Sequence, residues 1–424
     1  MSGRVGATAI RSPSRIDRSR QRRETISVRG FESREWQTAQ AARGFATRSF
    51  YGTKGGAEHF IAVAMPSEMD FGQQIDAVRE RYEAARRSLE LAPETAVFRR
   101  IFLSDVLNQA TAVRNSALAR DPGDGDAAVS IVQQPPLAGA KLALLAYHID
   151  GGSPLLRRRL SPRHLIIEKN GRRHLWSTRL CADDHETSGS SAAQTRSVFG
   201  DLVKTLENQG ANLRDHCIRT WIYLKDVDVF YQGMVDSRRE MFVRQGLTRD
   251  THFIASTGIE GACAHRFDLV AMDAYSILDL VPEQVSYLND FNRLCPTADY
   301  NVTFERGTRV GYADRAHHFI SGTASIDDAG NVLYPGDVLR QLDRALGNVD
   351  ALLHSGAATL ADMMYLLVYL RDPTDYAHVD AHLREHFPGL PALIVQGAVC
   401  RPDWLVEIEG VAVTPNDEPA LPPF

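Results

Sequence analysis

The pattern of apolar and polar positions is most regular in the last third of the chain. Ala316 to Gly322 is an apolar run that predicts a strand. From Asp337 to His354, the residues Val338, Leu342, Leu346, Val349 and Leu353 recur at spacings of three and four, which predicts a helix with one buried face. Met363 to Arg371 reads as a strand ending at Asp372, Tyr376 to His386 as a second helix, and Ala392 to Cys400 and Trp404 to Val413 as two closing strands. The order is strand, helix, strand, helix, strand, strand.

The same order recurs upstream. In the middle of the chain it runs Leu175–Leu180, a helix over Ala192–Asn208, Cys217–Lys225 ending at Asp226, a helix over Val229–Gln245, then Phe253–Ser256 and Leu269–Leu278. It is fainter nearer the start: His59–Ala64, a helix over Gln73–Leu89, Ala96–Leu103 ending at Asp105, a short polar helix, Val129–Gln133 and Leu142–Ile149. The third elements, FRRIFLSD, RTWIYLKD and YLLVYLRD, align at their final Asp. Three repeats of one α+β unit follow from this. The expected boundaries are 55–150, 151–282 and 283–424, with linkers at Asp150–Pro154 and Leu280–Glu283. Each sheet carries apolar residues on both faces, so three sheets turned inward would form a pseudo-trimer within one polypeptide.

Composition narrows the class. Of 424 residues, 44% are hydrophobic and 24% charged, which suits a globular protein with a large core. A net charge of −5 argues against a nucleic-acid partner, and no apolar run is long enough to span a bilayer. Cys181, Cys217, Cys263, Cys295 and Cys400 form no metal-ligand spacing, so no metal is expected, and a reducing, cytoplasmic setting is; no phosphate loop or dinucleotide fingerprint appears, so no cofactor is expected either. Residues 1–54 crowd six arginines among polar residues from Arg11 to Arg23 and read as a disordered tail. A self-contained pseudo-trimer is expected to be a monomer or a dimer.

The third repeat resembles the Rid family (reactive intermediate deaminases). The resemblance rests on Ile320-Ser321-Gly322, Gly336-Asp337-Val338, the helix ending Asn348–Leu353, and Leu405-Val406-Glu407-Ile408-Glu409. It implies a trimer-like packing with sites between units. Rid deaminases carry an Arg just after the Pro that opens the penultimate strand, where Leu393 stands here. Repeats two and three together resemble chorismatases, through Arg219-Thr220-Trp221-Ile222-Tyr223, Thr257-Gly258-Ile259, Phe304-Glu305-Arg306, Ser321-Gly322-Thr323-Ala324 and Cys400-Arg401. Tyr300 to Phe304 and the segment after Ile259 depart from that pattern.

Glu407 and Glu409 lie two apart on one strand and so face the same side. A buried carboxyl beside another is a candidate general acid near neutral pH, and the expectation is Glu409 as the acid with Glu407 tuning it; an ion pair at a repeat interface is the alternative. By repeat position Glu409 corresponds to Asp273 and Leu145, and Glu407 to Ala271, which points to one working cleft, between repeats two and three. Arg219, Arg306 and Arg401 are candidate carboxylate clamps. Cys400, Tyr223, Trp221 and Tyr365 are candidate walls, and Thr257, Gly258, Ser321 and Thr323 could orient substrate oxygens. The resemblance implies a cofactor-independent enzyme that hydrolyses or eliminates a group from a small enol-type or cyclic carboxylate such as chorismate. A Rid-like imine or enamine hydrolase and a non-catalytic ligand-binding protein are the alternatives.

Overall fold

The structure, a computed structural model, describes residues 44–54, 56–64, 69–120, 127–137, 139–183, 189–263, 265–300 and 302–424. It contains three mixed sheets, one for each repeat. The first holds β1 (Ala46–Tyr51), β2 (Ala57–Ala64), β3 (Ala96–Leu103), β4 (Ala128–Gln133) and β5 (Leu142–Asp150), in the order β1-β2-β5-β3-β4. The second holds β6 (Leu156–Ser161), β7 (His164–Lys169), β8 (Arg172–Leu180), β9 (Cys217–Leu224), β10 (Ala255–Glu260) and β11 (Val270–Ile277), in the order β10-β9-β11-β8-β7-β6. The third holds β12 (Val285–Tyr287), β13 (Gly307–Gly311), β14 (Arg315–Ala324), β15 (Met363–Leu370), β16 (Ala392–Gln396) and β17 (Val406–Pro415), in the order β12-β13-β14-β17-β15-β16. Superposing the orders makes β3, β9 and β15 equivalent, and likewise β5, β11 and β17.

The helices are α1 (Phe71–Ser88), α2 (Val106–Arg114), α3 (Ser191–Asn208), α4 (Leu213–His216), α5 (Val227–Arg244), α6 (Val338–Ser355) and α7 (Tyr376–His386). The recurring Asp at the end of each third element has one purpose. Asp105 and Asp226 accept from Asn108 N and Val229 N as N-caps of α2 and α5, and Asp372 caps the 3-10 turn before α7.

Alternation along the central strands serves two cores. On β11, Val270, Met272 and Ala274 pack under the helices of the second unit, while Ala271, Tyr275 and Ile277 join the cluster shared by all three units. On β5, Leu142, Leu144 and Ala146 face their own helices, and Leu145, Tyr147 and Ile149 the shared centre. The units close into a ring through equivalent backbone bonds: Gln133 N to Ala262 O at 2.7 Å, Glu260 N to Ala398 O at 3.1 Å and Gln396 N to Pro135 O at 2.8 Å. This is the intramolecular pseudo-trimer of Rid-like units.

Two expectations need correction. Ala46–Tyr51 pairs with β2, so the first sheet begins inside the segment read as a tail; residues 1–43 lie outside the described residues. Ala392 to Cys400 is not one strand, because the chain leaves β16 after Gln396 to bond the edge of the second sheet. The charged strand β6 and its partner β7, and the edge strands β12 and β13, give no hydrophobic alternation to read.

Candidate functional site

Register fixes which residues are equivalent at the centre. Glu409 pairs with Leu367, Asp273 with Trp221, and Leu145 with Arg100. The repeat alignment therefore places one anion in each of the second and third units and a cation beside the apolar position of the first. Arg100, Asp273 and Glu409 are fully buried and meet on the pseudo-threefold axis, with Arg100 3.4 Å from Asp273 and 3.6 Å from Glu409. The Arg100 guanidinium lies 4.4 Å from the centre of the Trp221 ring.

Glu409 is committed to this network. Its carboxylate accepts from Arg219 Nη2 at 2.7 Å, from Trp221 Nε1 at 2.8 Å and from the Thr257 hydroxyl. Arg219 also donates to Thr257 Oγ1 at 2.6 Å and to Thr220 O at 3.0 Å. Arg219 is thus not an open substrate clamp. A buried cation at the start of an apolar strand takes the buried carboxylate of the next unit as its partner.

Glu407, two residues away, has a different environment. It is 6% exposed and accepts no hydrogen bond among the described residues. Burial pushes its carboxyl up to about 8, the charge of Glu409 adds to this, and Arg219 and Arg306 oppose it. It lies on the seam between the second and third sheets, where β10 runs along the start of the third sheet through an Ala255–Glu305 bridge. Gly322 leaves the space for it: a Cβ there would stand 2.2 Å from Glu407 Oε1 and 3.1 Å from Thr257 Cγ2. Gly322 sits in a bulge of β14, and its N–H donates to Thr257 Oγ1 at 2.9 Å. Gly258 faces Tyr231 and Met234 of α5, at 3.5 and 3.4 Å from where a Cβ would be. Cys400, beside Glu407 and Tyr231, has its thiol pushed up to about 12 by burial, so it is protonated and no nucleophile at neutral pH.

The other expected residues divide. Arg306 is buried, donates to Cys295 O at 3.1 Å and acts electrostatically on Glu407. The Ser321 hydroxyl is occupied in joining the units, donating to Glu305 O at 2.6 Å and accepting from Ser256 N at 2.9 Å. Thr323 turns back to Ser321 O. Tyr223 belongs to the Asp273 end of the network, which it reaches at 3.0 Å. Tyr365 packs against Phe60 of the first unit, away from Glu407. Arg401 donates to Gly330 O and stacks on Trp404 at 4.6 Å. The seam therefore assembles Glu407, Glu409, Arg219, Thr257, Gly258, Gly322, Arg306 and Cys400. Arg100, Tyr231 and Met234 were not singled out from sequence. Two consecutive arginines inside the apolar β3 were the available signal for Arg100. Nothing in the spacing of α5 marks Tyr231.

Residues 309–414 match the family model Endoribonuclease L-PSP, from within β13 almost to the end of β17. The chain is similar in structure to a chorismatase, with 18% identity over 75% of this chain and 93% of that one and a TM-score of 0.57, which shows a shared fold. It is also similar to a Rid-family protein of Yersinia pestis (19% identity, 31% of this chain and 99% of that one, TM-score 0.27). A further match is a putative endoribonuclease of Thermotoga maritima (21%, 30% and 97%, TM-score 0.26). Among the described residues, no helix is long and apolar enough to cross a membrane.

Proposed function

We propose that this chain, whose third unit is a domain of the endoribonuclease L-PSP (Rid) family, is a small-molecule enzyme in which Glu407 is the general acid. The observation that carries the reading is the contrast between two carboxyls on one strand. Glu409 is ion-paired and hydrogen-bonded, whereas Glu407 is desolvated and holds its proton to about 8. Environments that separate two carboxyls in this way assign the acid. Glu409 then acts through its charge, which keeps Glu407 protonated, and Arg219 and Thr257 hold Glu409 in place. This exchanges the roles expected from the sequence.

The substrate class we propose is a small carboxylate bearing an electron-rich double bond, of which chorismate is the example closest to the shared fold. Glu407 would deliver its proton to the methylene carbon of the enol ether, leaving an oxocarbenium ion. Water would add to the cationic carbon that bears the ether oxygen, giving a hemiketal, and its surplus proton would return to the Glu407 carboxylate. Collapse of the hemiketal would break the carbon–oxygen bond and release pyruvate and the ring alcohol. Arg306, whose charge acts on Glu407, would be the cation that meets a substrate carboxylate. Imine deamination has less support, because Leu393 is a buried apolar residue where a carboxylate-binding Arg would be needed. The test is incubation with chorismate while following pyruvate, beside a 2-imino acid generated in place while following ammonia. Pyruvate release that depends on Glu407 supports the reading. Ammonia release without pyruvate would replace it.

A further inference from the structure

A second buried feature lies on the axis, apart from Glu407. A cavity of about 40 Å³ sits among the three sheets, walled by Phe60, Phe98, Tyr147, Trp176, Tyr275 and Phe319, with Glu58 and His317 at one end. The rings are packed in series: Phe98 on Trp176 at 4.7 Å, Trp176 on Tyr275 at 4.6 Å, and Phe60 on Tyr147 at 4.6 Å. Register explains why space remains there. Tyr147 pairs with Phe60, Tyr275 with Trp176, and Val411 with Phe319, so Val411 stands where the other two units place a tyrosine. The Phe424 ring packs edge-on against His317, at the Glu58 end, and against His174.

The polar groups define what would fit. The Glu58 carboxylate already accepts from Arg315 Nη1 at 2.7 Å, His317 Nε2 at 2.9 Å and Tyr147 Oη at 2.5 Å, so its charge is met and no cation is called for. The Trp176 indole N–H, in contrast, is buried and has no acceptor among the described residues. A buried donor without an acceptor is costly, so a guest that supplies one gains more than a purely apolar guest of the same size. We infer that the axial cavity is a binding site for a small neutral solute carrying a hydrogen-bond acceptor, of the size of formamide or methanol, held by the Trp176 indole and the aromatic walls. The volume takes about two or three non-hydrogen atoms. So few atoms limit the dissociation constant to about millimolar or weaker.

The experiment uses the full chain with ¹⁵N-labelled tryptophan. Formamide and methanol are titrated while the indole N–H resonances are followed, and xenon serves as the apolar probe. A saturable shift of the Trp176 indole resonance is expected, absent in Val411→Tyr, which restores the ring present in the other units. Trp176→Phe keeps the wall but removes the donor, so, read through the indole resonance of Trp221, which also lines the cavity, it should weaken formamide binding several-fold and leave xenon binding intact. This variant decides the matter if Val411→Tyr does not fold. Xenon binding without any saturable formamide or methanol response would make the space a dry packing gap and overturn the proposal. So would the absence of binding by all three probes.

Discussion

Replacing Glu409 by Gln separates its two possible roles. The substitution keeps a side chain that can accept from Trp221 Nε1 but removes a charge from a fully buried network. Side chains two residues apart on a strand are about 7 Å apart. At an effective dielectric constant of about 20, the repulsion between two unit charges at that distance is about 2 kcal/mol. That corresponds to between one and two pKa units. Because Glu409 pushes Glu407 up, its removal should bring Glu407 down from about 8 toward roughly 6 to 7, with Arg219 released to lower it further. Breaking one side of the buried pair should also cost roughly 3–5 kcal/mol of stability. Selective ¹³C labelling of glutamate carboxyls, with a pH titration by NMR, reads the first effect, and urea unfolding reads the second. The reasoning fails if Glu407 in the wild type titrates in the ordinary carboxylate range, or if Glu409→Gln leaves its midpoint unmoved.

Further outcomes follow from the same geometry. Glu407 gains a proton on folding between its ordinary pKa near 4.5 and about 8, so its contribution to stability declines as pH rises through that window. Glu407→Gln should therefore be a few kcal/mol more stable than the wild type at pH 9 and nearly equal to it at pH 4, measured by urea unfolding at both. Glu58 shows the opposite sign: burial raises its pKa, but His317 and Arg315 outweigh that and hold it at about 2. Its stabilisation, about 3 kcal/mol at most, is present above pH 4.5 and lost as pH falls toward 2, and acid unfolding of Glu58→Gln should lack that component. Gly322→Ala would drive a Cβ into Glu407 Oε1. We expect a loss of at least about tenfold in turnover and about 1–3 kcal/mol in stability, scored by steady-state kinetics and thermal unfolding.

The repeats were legible because their signals are local. The apolar spacing of α6 and the strand-then-Asp ending are consequences of one helix face and one N-cap, and Leu342, Leu346, Val349 and Leu353 are all buried as that spacing requires. The equivalence of Glu409 to Asp273 and Leu145 was legible for the same reason, since aligned repeats preserve register. What the sequence could not reveal is which groups meet across units. Arg219 and Glu409 are 190 positions apart, and only the closed ring brings them to 2.7 Å. The roles proposed for the two glutamates turn on this point: the strand shows that they share a face, but the cation that pairs with Glu409 comes from another repeat. Val411 likewise reads as an ordinary strand valine until Tyr147 and Tyr275 are set beside it.

The most direct test of the central claim is the pH dependence of pyruvate release from chorismate by the wild type, Glu407→Gln and Glu409→Gln. The account predicts that wild-type turnover falls as pH rises through about 8. It predicts that Glu407→Gln is inactive at every pH, and that Glu409→Gln keeps activity with its upper limb moved to lower pH. Turnover by Glu407→Gln at the wild-type rate, with Glu409→Gln inactive throughout, would assign the acid to Glu409 and contradict the account.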